Sequence, residues 1–236
     1  MEYLIELHCH AAEVSGCSTL SGAQLADLYK SYDYHAIVIM DHYYKGFFDG
    51  LGDIPWNEKV DRFLLGYRNA KKRGDEIGLS VILGMELRFN NNSNDYLIFG
   101  LDESILYDHP ELYNLGVREF SQFARDNGLL FIQAHPFREW MVVINHDYLD
   151  GIEIYNAHPW HNSRNYLAAL AYDEQLKRHQ SNPDNADRPF IATVGSDCHE
   201  PQHCGNAGIY TDRLPSNSAE LVAILREQKY ETYIKS

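Results

Sequence analysis

The sequence YLIELHCH at residues 3–10 is an apolar strand that ends in two histidines separated by one residue. Side chains at positions i and i+2 of a β-strand point to the same side of the sheet. His8 and His10 are therefore predicted to face one direction together, while Cys9 points the other way. This pair is the first sign of a site at the end of a strand.

A second pair with the same spacing lies near the other end of the chain. The segment FIATVGSDCHE at 190–200 is again an apolar strand followed by polar residues. The i, i+2 rule predicts that Asp197 and His199 point together and that Cys198, like the cysteine of the first pair, points away.

Between these two pairs, short apolar strands alternate with helical patterns. Strands are predicted at 3–7, 35–40, 80–89, 95–100, 129–134, 151–156, 190–195 and 208–211, and helices at 23–32, 57–78, 117–128, 163–179 and 218–228. This alternation is typical of a parallel sheet covered by helices. Roughly seven such units favour a closed α/β barrel over an open sheet. With no linker and no internal repeat, residues 1–236 are predicted to form a single domain.

Polar residues cluster at the predicted strand ends, which in a barrel meet at one face. They are His8, His10, Asp41, His42, Glu86, Asp95, His135, His158, Asp197 and His199. Imidazoles and carboxylates are ligands for transition metals. Single members have other interpretations: Asp41 could cap a loop, and Glu86 could pair with Arg88 or Lys45. The whole set predicts a metal site.

Composition excludes several classes of protein. The chain is 44% hydrophobic and 23% charged, which is typical of a globular protein. Its net charge of −14 argues against a nucleic-acid partner, because such a surface needs clustered Lys and Arg. No membrane span and no leader are visible in the sequence, so a soluble cytoplasmic protein with free thiols is expected.

The segment YYKGFFDGLGDIPW at 43–56 is rich in glycine and aromatic residues. It is predicted to be a loop rather than a helix. Because it follows a strand end, it is a candidate active-site lid. Its aromatic residues could cover a substrate or pack beneath the loop, and packing is the favoured interpretation.

The ordered motifs resemble those of the PHP (polymerase and histidinol phosphatase) family. They are HCH at 8–10, DH at 41–42, GME at 84–86, AHP at 134–136 and SDCH at 196–199. The resemblance covers nearly the whole chain. It implies a distorted seven-stranded, TIM-like barrel, two or three divalent metal ions (zinc, manganese or iron) and phosphoester hydrolysis.

The same resemblance implies an assignment of metal ligands. His8, His10, Glu86 and Asp197 would hold one metal, Glu86 and His135 a second, and His42 and His199 a third. Two positions depart from the usual family pattern. Asp95 stands where a histidine is common, and Glu13 is the nearest residue to a position that usually holds His or Asp.

The expected activity is hydrolysis of a small-molecule phosphomonoester by a metal-bound hydroxide. Asp197, His42 and His199 are the predicted catalytic residues, the two histidines as candidate donors of a proton to the leaving group. The predicted substrate contacts are Arg138, Lys45, His158 and Arg164. A guanidinium group suits bidentate binding of phosphate.

Two other functions remain open. An amidohydrolase also carries an HxH pair after its first strand, but commonly bridges its metals with a carboxylated lysine, and no lysine stands at a suitable strand end here. A non-catalytic PHP-like module would be expected to have lost ligands. The sequence does not indicate the substrate, the metal or the oligomeric state.

Overall fold

The computed structural model describes residues 1–159 and 162–235. The strands are β1 (Tyr3–Cys9), β2 (Ala36–Ile39), β3 (His42–Tyr43), β4 (Ser80–Leu83), β5 (Met85–Arg88), β6 (Asp95–Phe99), β7 (Leu130–Gln133), β8 (Gly151–Asn156), β9 (Ile191–Gly195), β10 (Ala207–Thr211) and β11 (Tyr230–Ile234). The helices are α1 (Gly22–Ser31), α2 (Lys45–Gly50), α3 (Trp56–Phe63), α4 (Leu65–Ile77), α5 (Glu103–Asp108), α6 (Val117–Asp126), α7 (Asn165–Ser181) and α8 (Ser218–Glu227).

The strands form two mixed sheets. One has the order β11-β10-β1-β2-β4 and the other β3-β5-β6-β7-β8-β9. Strands β10, β11 and β6 pair antiparallel with their neighbours, so the purely parallel sheet predicted from the alternation is wrong. The α/β class itself is confirmed. Strand β11, at the end of the chain, was not predicted.

The two sheets meet along two seams instead of closing into a continuous barrel. At one seam Gly84 interrupts the predicted strand 80–89, and hydrogen bonds from Gly84 N to Ile39 O (3.0 Å) and Glu86 N to Asp41 O (3.1 Å) cross the break. At the other, Cys9 and Cys198 form a single parallel bridge. Within the described residues the strands therefore form two sheets joined at these seams by a few backbone contacts, and no closure into a continuous barrel is detected.

Close helix packing supports the sheet beneath the site. Helix α1 starts with a capping box, in which Ser21 and Gln24 satisfy each other's backbone N–H groups. A side chain added at Gly22 would lie 2.1 Å from Gly66 O in α4, so this glycine permits the two helices to touch. The helix predicted over 57–78 is divided at Leu64 into α3 and α4, and α4 ends at the left-handed Gly78.

The segment 43–56 differs from its prediction as a loop. Residues Lys45–Gly50 form the short helix α2. Tyr43 and Phe48 are completely buried, and the Phe48 ring stacks on Trp56 with centroids 4.9 Å apart. Tyr43 and Phe48 thus belong to the core, with Phe47 and Trp56 packed against it, which agrees with the packing interpretation; Tyr44 is exposed. Apolar burial, stronger than the low helix propensity of glycine, explains why a helix forms.

The cysteines also differ from expectation. Cys198 and Cys204 are joined by a disulfide, whereas Cys9 and Cys17 are free. The prediction of four free thiols is therefore wrong for two of them. The bond ties the segment that follows β9 to the start of β10.

Candidate metal centre

Five side chains meet at the buried end of the two sheets. His8 lies near the end of β1, His10 just beyond it, Glu86 in β5, His135 after β7 and Asp197 after β9. All five are at most 2% exposed. Their ligand atoms form the groups His8–His10–Asp197 and His8–Glu86–His135, within each of which the atoms lie within 4.8 Å of one another. The side chains can therefore surround one or more cations.

Glu86 lies at the middle of this arrangement. Its Oε1 is 2.9 Å from His135 Nε2 and 3.6 Å from His8 Nε2. Its Oε2 is 3.6 Å from His10 Nε2 and 2.7 Å from His42 Nδ1. Each carboxylate oxygen thus faces two imidazoles, a position from which one carboxylate can bridge two metals.

Hydrogen bonds behind the cluster orient the histidine rings. His8 Nδ1–H donates to Glu153 Oε1 at 2.8 Å, so Nε2 is the ring nitrogen that faces the centre. Ser15 Oγ donates to Asp41 Oδ1 at 2.8 Å and accepts a longer bond, 3.4 Å, from His10 Nδ1. A carboxylate behind a ligating histidine is a common feature of metal sites, because it sets the tautomer and raises the basicity of the ring.

The atoms that face the centre have no hydrogen-bond partners. His8 Nε2, His10 Nε2, Glu86 Oε2 and Asp197 Oδ1 are all buried and form no hydrogen bond, although they lie 2.7–3.6 Å from neighbouring imidazole or carboxylate atoms. An unpaired buried polar group costs about 1–3 kcal/mol, and more when it is charged. Four such atoms pointing at one place indicate a missing electropositive partner, and divalent cations fit this donor set of two imidazoles and two carboxylates.

Two of the five residues have unusual backbone conformations. His135 has φ +24° and Asp197 has φ +50°, in a region that residues other than glycine rarely adopt. Such strain costs about 1–3 kcal/mol per residue and is concentrated at functional sites. The prediction that strand alternation directs Asp197 and His199 is therefore corrected. Both residues lie beyond the end of β9, and the turn at Asp197 determines the directions of their side chains.

Electrostatics within the cluster are strongly coupled. Burial alone would raise the pKa of Glu86, but the imidazoles of His42 and His135 outweigh it and hold that pKa well below its usual range. The pKa of Asp197 is also held well below its usual range, because the charges of His8 and Arg138 outweigh the effect of burial. Burial lowers the pKa of His10 well below its usual value, and the neighbouring imidazoles lower it further. The carboxylates are therefore ionised and His10 is neutral, the forms that bind metal.

Three further side chains lie at the outer edge, and the structure places them around His10. The rings of His42 and His199 stack on that of His10 with centroids 4.3 and 4.4 Å apart. Cys17 Sγ is 3.3 Å from His42 Nε2. Partial burial would raise the pKa of Cys17, but hydrogen bonds with His199 and His42 outweigh this and lower it to about 6. This outer group is partly open to solvent, since His42 is 26% exposed.

Arg138 supports Asp197 from the side. Its Nη2 forms a very short ion pair with Asp197 Oδ2 and donates to Asn156 Oδ1 at 2.8 Å. Asn156 Nδ2 in turn donates to Asp197 Oδ2 at 3.2 Å and to Glu153 Oε2 at 3.0 Å. One oxygen of Asp197 is thus held by the protein, and Oδ1 is left for the centre.

The remaining predicted metal ligands lie elsewhere. Both oxygens of Glu13 accept from Gly22 N, and Oε1 also accepts from Asn69 Nδ2 at 2.9 Å. Asp95 forms a two-pronged pair with Arg88, with both contacts at 2.6 Å. Neither carboxylate is among the groups of ligand atoms that converge.

The predicted substrate contacts are also divided. Arg138 adjoins the cluster, and His158 lies edge-on to His199 with ring centroids 5.1 Å apart. Lys45 instead pairs with Asp49 on the surface of α2. Arg164 is exposed and directly precedes α7.

Sequence reasoning missed Glu153, Asn156 and Cys17. The signal for Glu153 is a carboxylate inside the apolar strand GIEIYN, where it is 1% exposed. An ionisable residue at such a position is rarely buried without a partner. Cys17 gave no signal of this kind, because it lies in a loop without periodicity.

Comparison with known proteins finds matches among solved structures alone. No family model matches the sequence, and no curated protein matches it. Among the described residues, no helix is both long and apolar enough to cross a bilayer. Solved structures do match, and they include PHP-like proteins, as the motif resemblance predicted.

Two solved structures match along almost the whole chain. PsfC from Pseudomonas syringae PB-5123 is 14% identical, with 99% of this chain and 92% of that chain covered and a TM-score of 0.64. A two-domain protein from Bacteroides vulgatus ATCC 8482, described as containing a predicted PHP-like metal-dependent phosphoesterase, is 13% identical with a TM-score of 0.57. There the match covers 99% of this chain and 65% of that chain. At these identities the likeness shows a shared fold.

Proposed function

We propose that this protein is a PHP-type metal-dependent phosphoesterase that hydrolyses a small-molecule phosphomonoester. The observation that carries the proposal is the set of four buried, converging ligand atoms of His8, His10, Glu86 and Asp197, none of which forms a hydrogen bond. They lie in a fold shared with a PHP-like protein and come from three separate parts of the chain. The metal-ligand assignments made from the sequence for these residues, and for His135, become part of this proposal.

Divalent metals bound here would supply Lewis-acid chemistry, which neutralises phosphoryl oxygens and activates water. The protein's own side chains have separate tasks. Glu86 holds the two halves of the cluster together, and Glu153 fixes the ring of His8. Asp197, oriented by Arg138, completes the inner ligand set. If no metal occupies the outer edge, His42, which lies there, would give a proton to the departing alkoxide.

The alternative of an amidohydrolase is less well supported. Its usual bridging group is a carboxylated lysine, and the sequence has no lysine at a suitable strand end. Glu86 provides a carboxylate directly at that place. The partly buried guanidinium of Arg138 beside the cluster also adds positive charge, which suits an anionic ester better than a neutral amide.

The substrate is proposed to be small because the protein as a whole is acidic. A net charge of −14 repels long polyanions, whereas a compact phosphate can enter a site whose cations offset the charge locally. No membrane or nucleic-acid partner is proposed.

The test has two parts, metal content and substrate range. The purified protein would be analysed for bound metal and assayed on phosphomonoesters, with amides and lactones in parallel. We expect more than one equivalent of divalent metal and hydrolysis of the phosphomonoesters alone. Hydrolysis restricted to amides or lactones would overturn the phosphoesterase proposal, and a protein with less than one equivalent after growth in metal-replete medium would point to a non-catalytic module.

A further inference from the structure

The outer edge of the cluster contains a sulfur atom in addition to imidazoles. Cys17 Sγ is in hydrogen-bond contact with His42 Nε2 at 3.3 Å and with the His199 ring. Ligand atoms of His42, His199 and His10 lie within 4.8 Å of one another. The thiol therefore contacts a group of potential ligands through His42 and is not an isolated cysteine.

The loop that carries Cys17 is fastened on both sides of this residue. Ser15 Oγ donates to Asp41 Oδ1, and Ser18 Oγ donates to the carbonyl of His10 at 2.8 Å. Thr19 N donates to the carbonyl of His199, also at 2.8 Å. Because the loop is bound to the same two segments that carry His10 and His199, the sulfur is held at a fixed place relative to these imidazoles.

A second feature also indicates a cation here. The His10 ring stacks on that of His42 at 4.3 Å and on that of His199 at 4.4 Å between centroids, and the His42 and His199 centroids lie 5.8 Å apart. Three imidazoles this close together repel one another when protonated and are stabilised when a shared metal accepts their lone pairs.

We propose that Cys17 is a thiolate ligand of an outer metal position that it forms with His42 and His199. This proposal rests on the proposed function only in placing metals in the cluster. On binding, the thiol releases its proton to solvent and the sulfur lone pair bonds to the metal, with no change of oxidation state. Glu13, which the sequence suggested for this place, is occupied with Gly22 N.

A thiolate changes which metal the outer position prefers. Sulfur and imidazole ligands suit zinc and cobalt, whereas carboxylates suit manganese. The inner group has Glu86 and Asp197, and the outer group has no carboxylate among these three ligands. Manganese is therefore expected to fill inner positions only, and zinc or cobalt to fill the outer one as well.

The experiment uses cobalt as a spectroscopic probe of the full-length protein. Metal-free protein is titrated with Co²⁺, and the near-ultraviolet charge-transfer band of a cobalt–thiolate bond is followed together with the stoichiometry. We expect this band in the wild type, its loss in Cys17→Ser, and its loss with retained stoichiometry in Cys17→Asp, which keeps an anionic ligand. Zinc should also protect Cys17 from iodoacetamide, whereas manganese should not.

The outcomes separate this inference from the proposed function. A band that persists in Cys17→Ser, or no band at full cobalt occupancy, overturns the thiolate ligand even when phosphomonoesters are hydrolysed. A band that depends on Cys17 in a protein without phosphoesterase activity supports the ligand and overturns the function. Circular dichroism of the variants identifies any that fail to fold, and for these the alkylation of wild-type protein with each metal decides the question.

Discussion

The inner and outer parts of the candidate metal centre are constructed differently. The inner residues His8, Glu86 and Asp197 are at most 2% exposed, and Glu153 and Arg138 support two of them from behind. The outer residues His42 and Cys17 are partly exposed, and their side chains contact mainly other members of the cluster. Preorganised, buried ligands favour tight binding, whereas an open group with a thiolate favours selectivity between metals.

The largest effect is expected from the inner carboxylate. In Glu86→Gln, the residue that faces four imidazoles loses its charge, so metal binding and phosphomonoesterase activity should fall by more than about 100-fold, beyond the range known for outer-shell residues. Metal analysis and initial rates measure both. The matched control is Glu13→Gln, which should keep its metal because Glu13 contacts Gly22 and Asn69. Equal loss of metal in both variants would contradict the assignment of Glu86, and not Glu13, as a ligand.

Removal of metal should next affect stability. A ligand present at 100 times its Kd stabilises a folded protein by about 2.7 kcal/mol for one site. We expect a chelator to lower the midpoint of thermal unfolding, because the buried ligand atoms would be left unpaired. Differential scanning calorimetry checks this, and zinc should restore the midpoint. An unchanged midpoint in protein that is shown to have lost its metal would contradict the assignment of these atoms as ligands.

Glu153→Gln tests the support behind the inner group. The amide carries no negative charge to face the His8 Nδ1–H group. The affinity of the inner group for metal should therefore fall by about 10–100-fold. Competition with a chromophoric chelator measures the change. Cys17→Ser is the comparison variant, since it should alter the outer position and leave the inner affinity as it was. If Glu153→Gln instead removed the cobalt–thiolate band alone, the two parts would not be separate.

The smallest effect distinguishes two roles for Arg138. If it orients Asp197, Arg138→Lys should weaken metal binding by about 10-fold, the lower end of the range for such residues. If it clamps phosphate, as the sequence suggested, KM should rise while metal affinity stays constant. Lys45→Met serves as a control with no expected change, because an exposed ion pair such as Lys45–Asp49 is worth about 0–1 kcal/mol.

The sequence predicted the inner site better than its surroundings. The HxH spacing and the strand ends placed His8, His10, Glu86, His135 and Asp197 together because strand alternation and strand ends are local properties. Asp95 shows the limit of this reasoning. It lies directly opposite Arg88 in the antiparallel register of β5 and β6, and such a register is a long-range property that one sequence does not reveal.

The same limit explains the differences in fold. Alternating strands and helices indicated the α/β class, but not the two antiparallel partners at the edge of the first sheet, β10 and β11. Gly84 was visible in the sequence as a lone glycine in a strand, which is a known sign of a break. Glu153 and Cys17 were missed because their importance comes from residues distant in the chain.

The contact between helix α4 and the site has a further consequence. A side chain at Gly66 would lie 2.5 Å from Asp41 Oδ2 and 2.6 Å from Ala11 Cβ. Asp41 Oδ1 accepts from both Ala11 N and Ser15 Oγ, so it anchors the loop that leads to Cys17. The outer metal position is thus mechanically linked to the spacing between α1 and α4. A substitution at Gly66, which is not itself a ligand, is therefore expected to shift the loop that carries Cys17 and with it the metal preference proposed for the outer position.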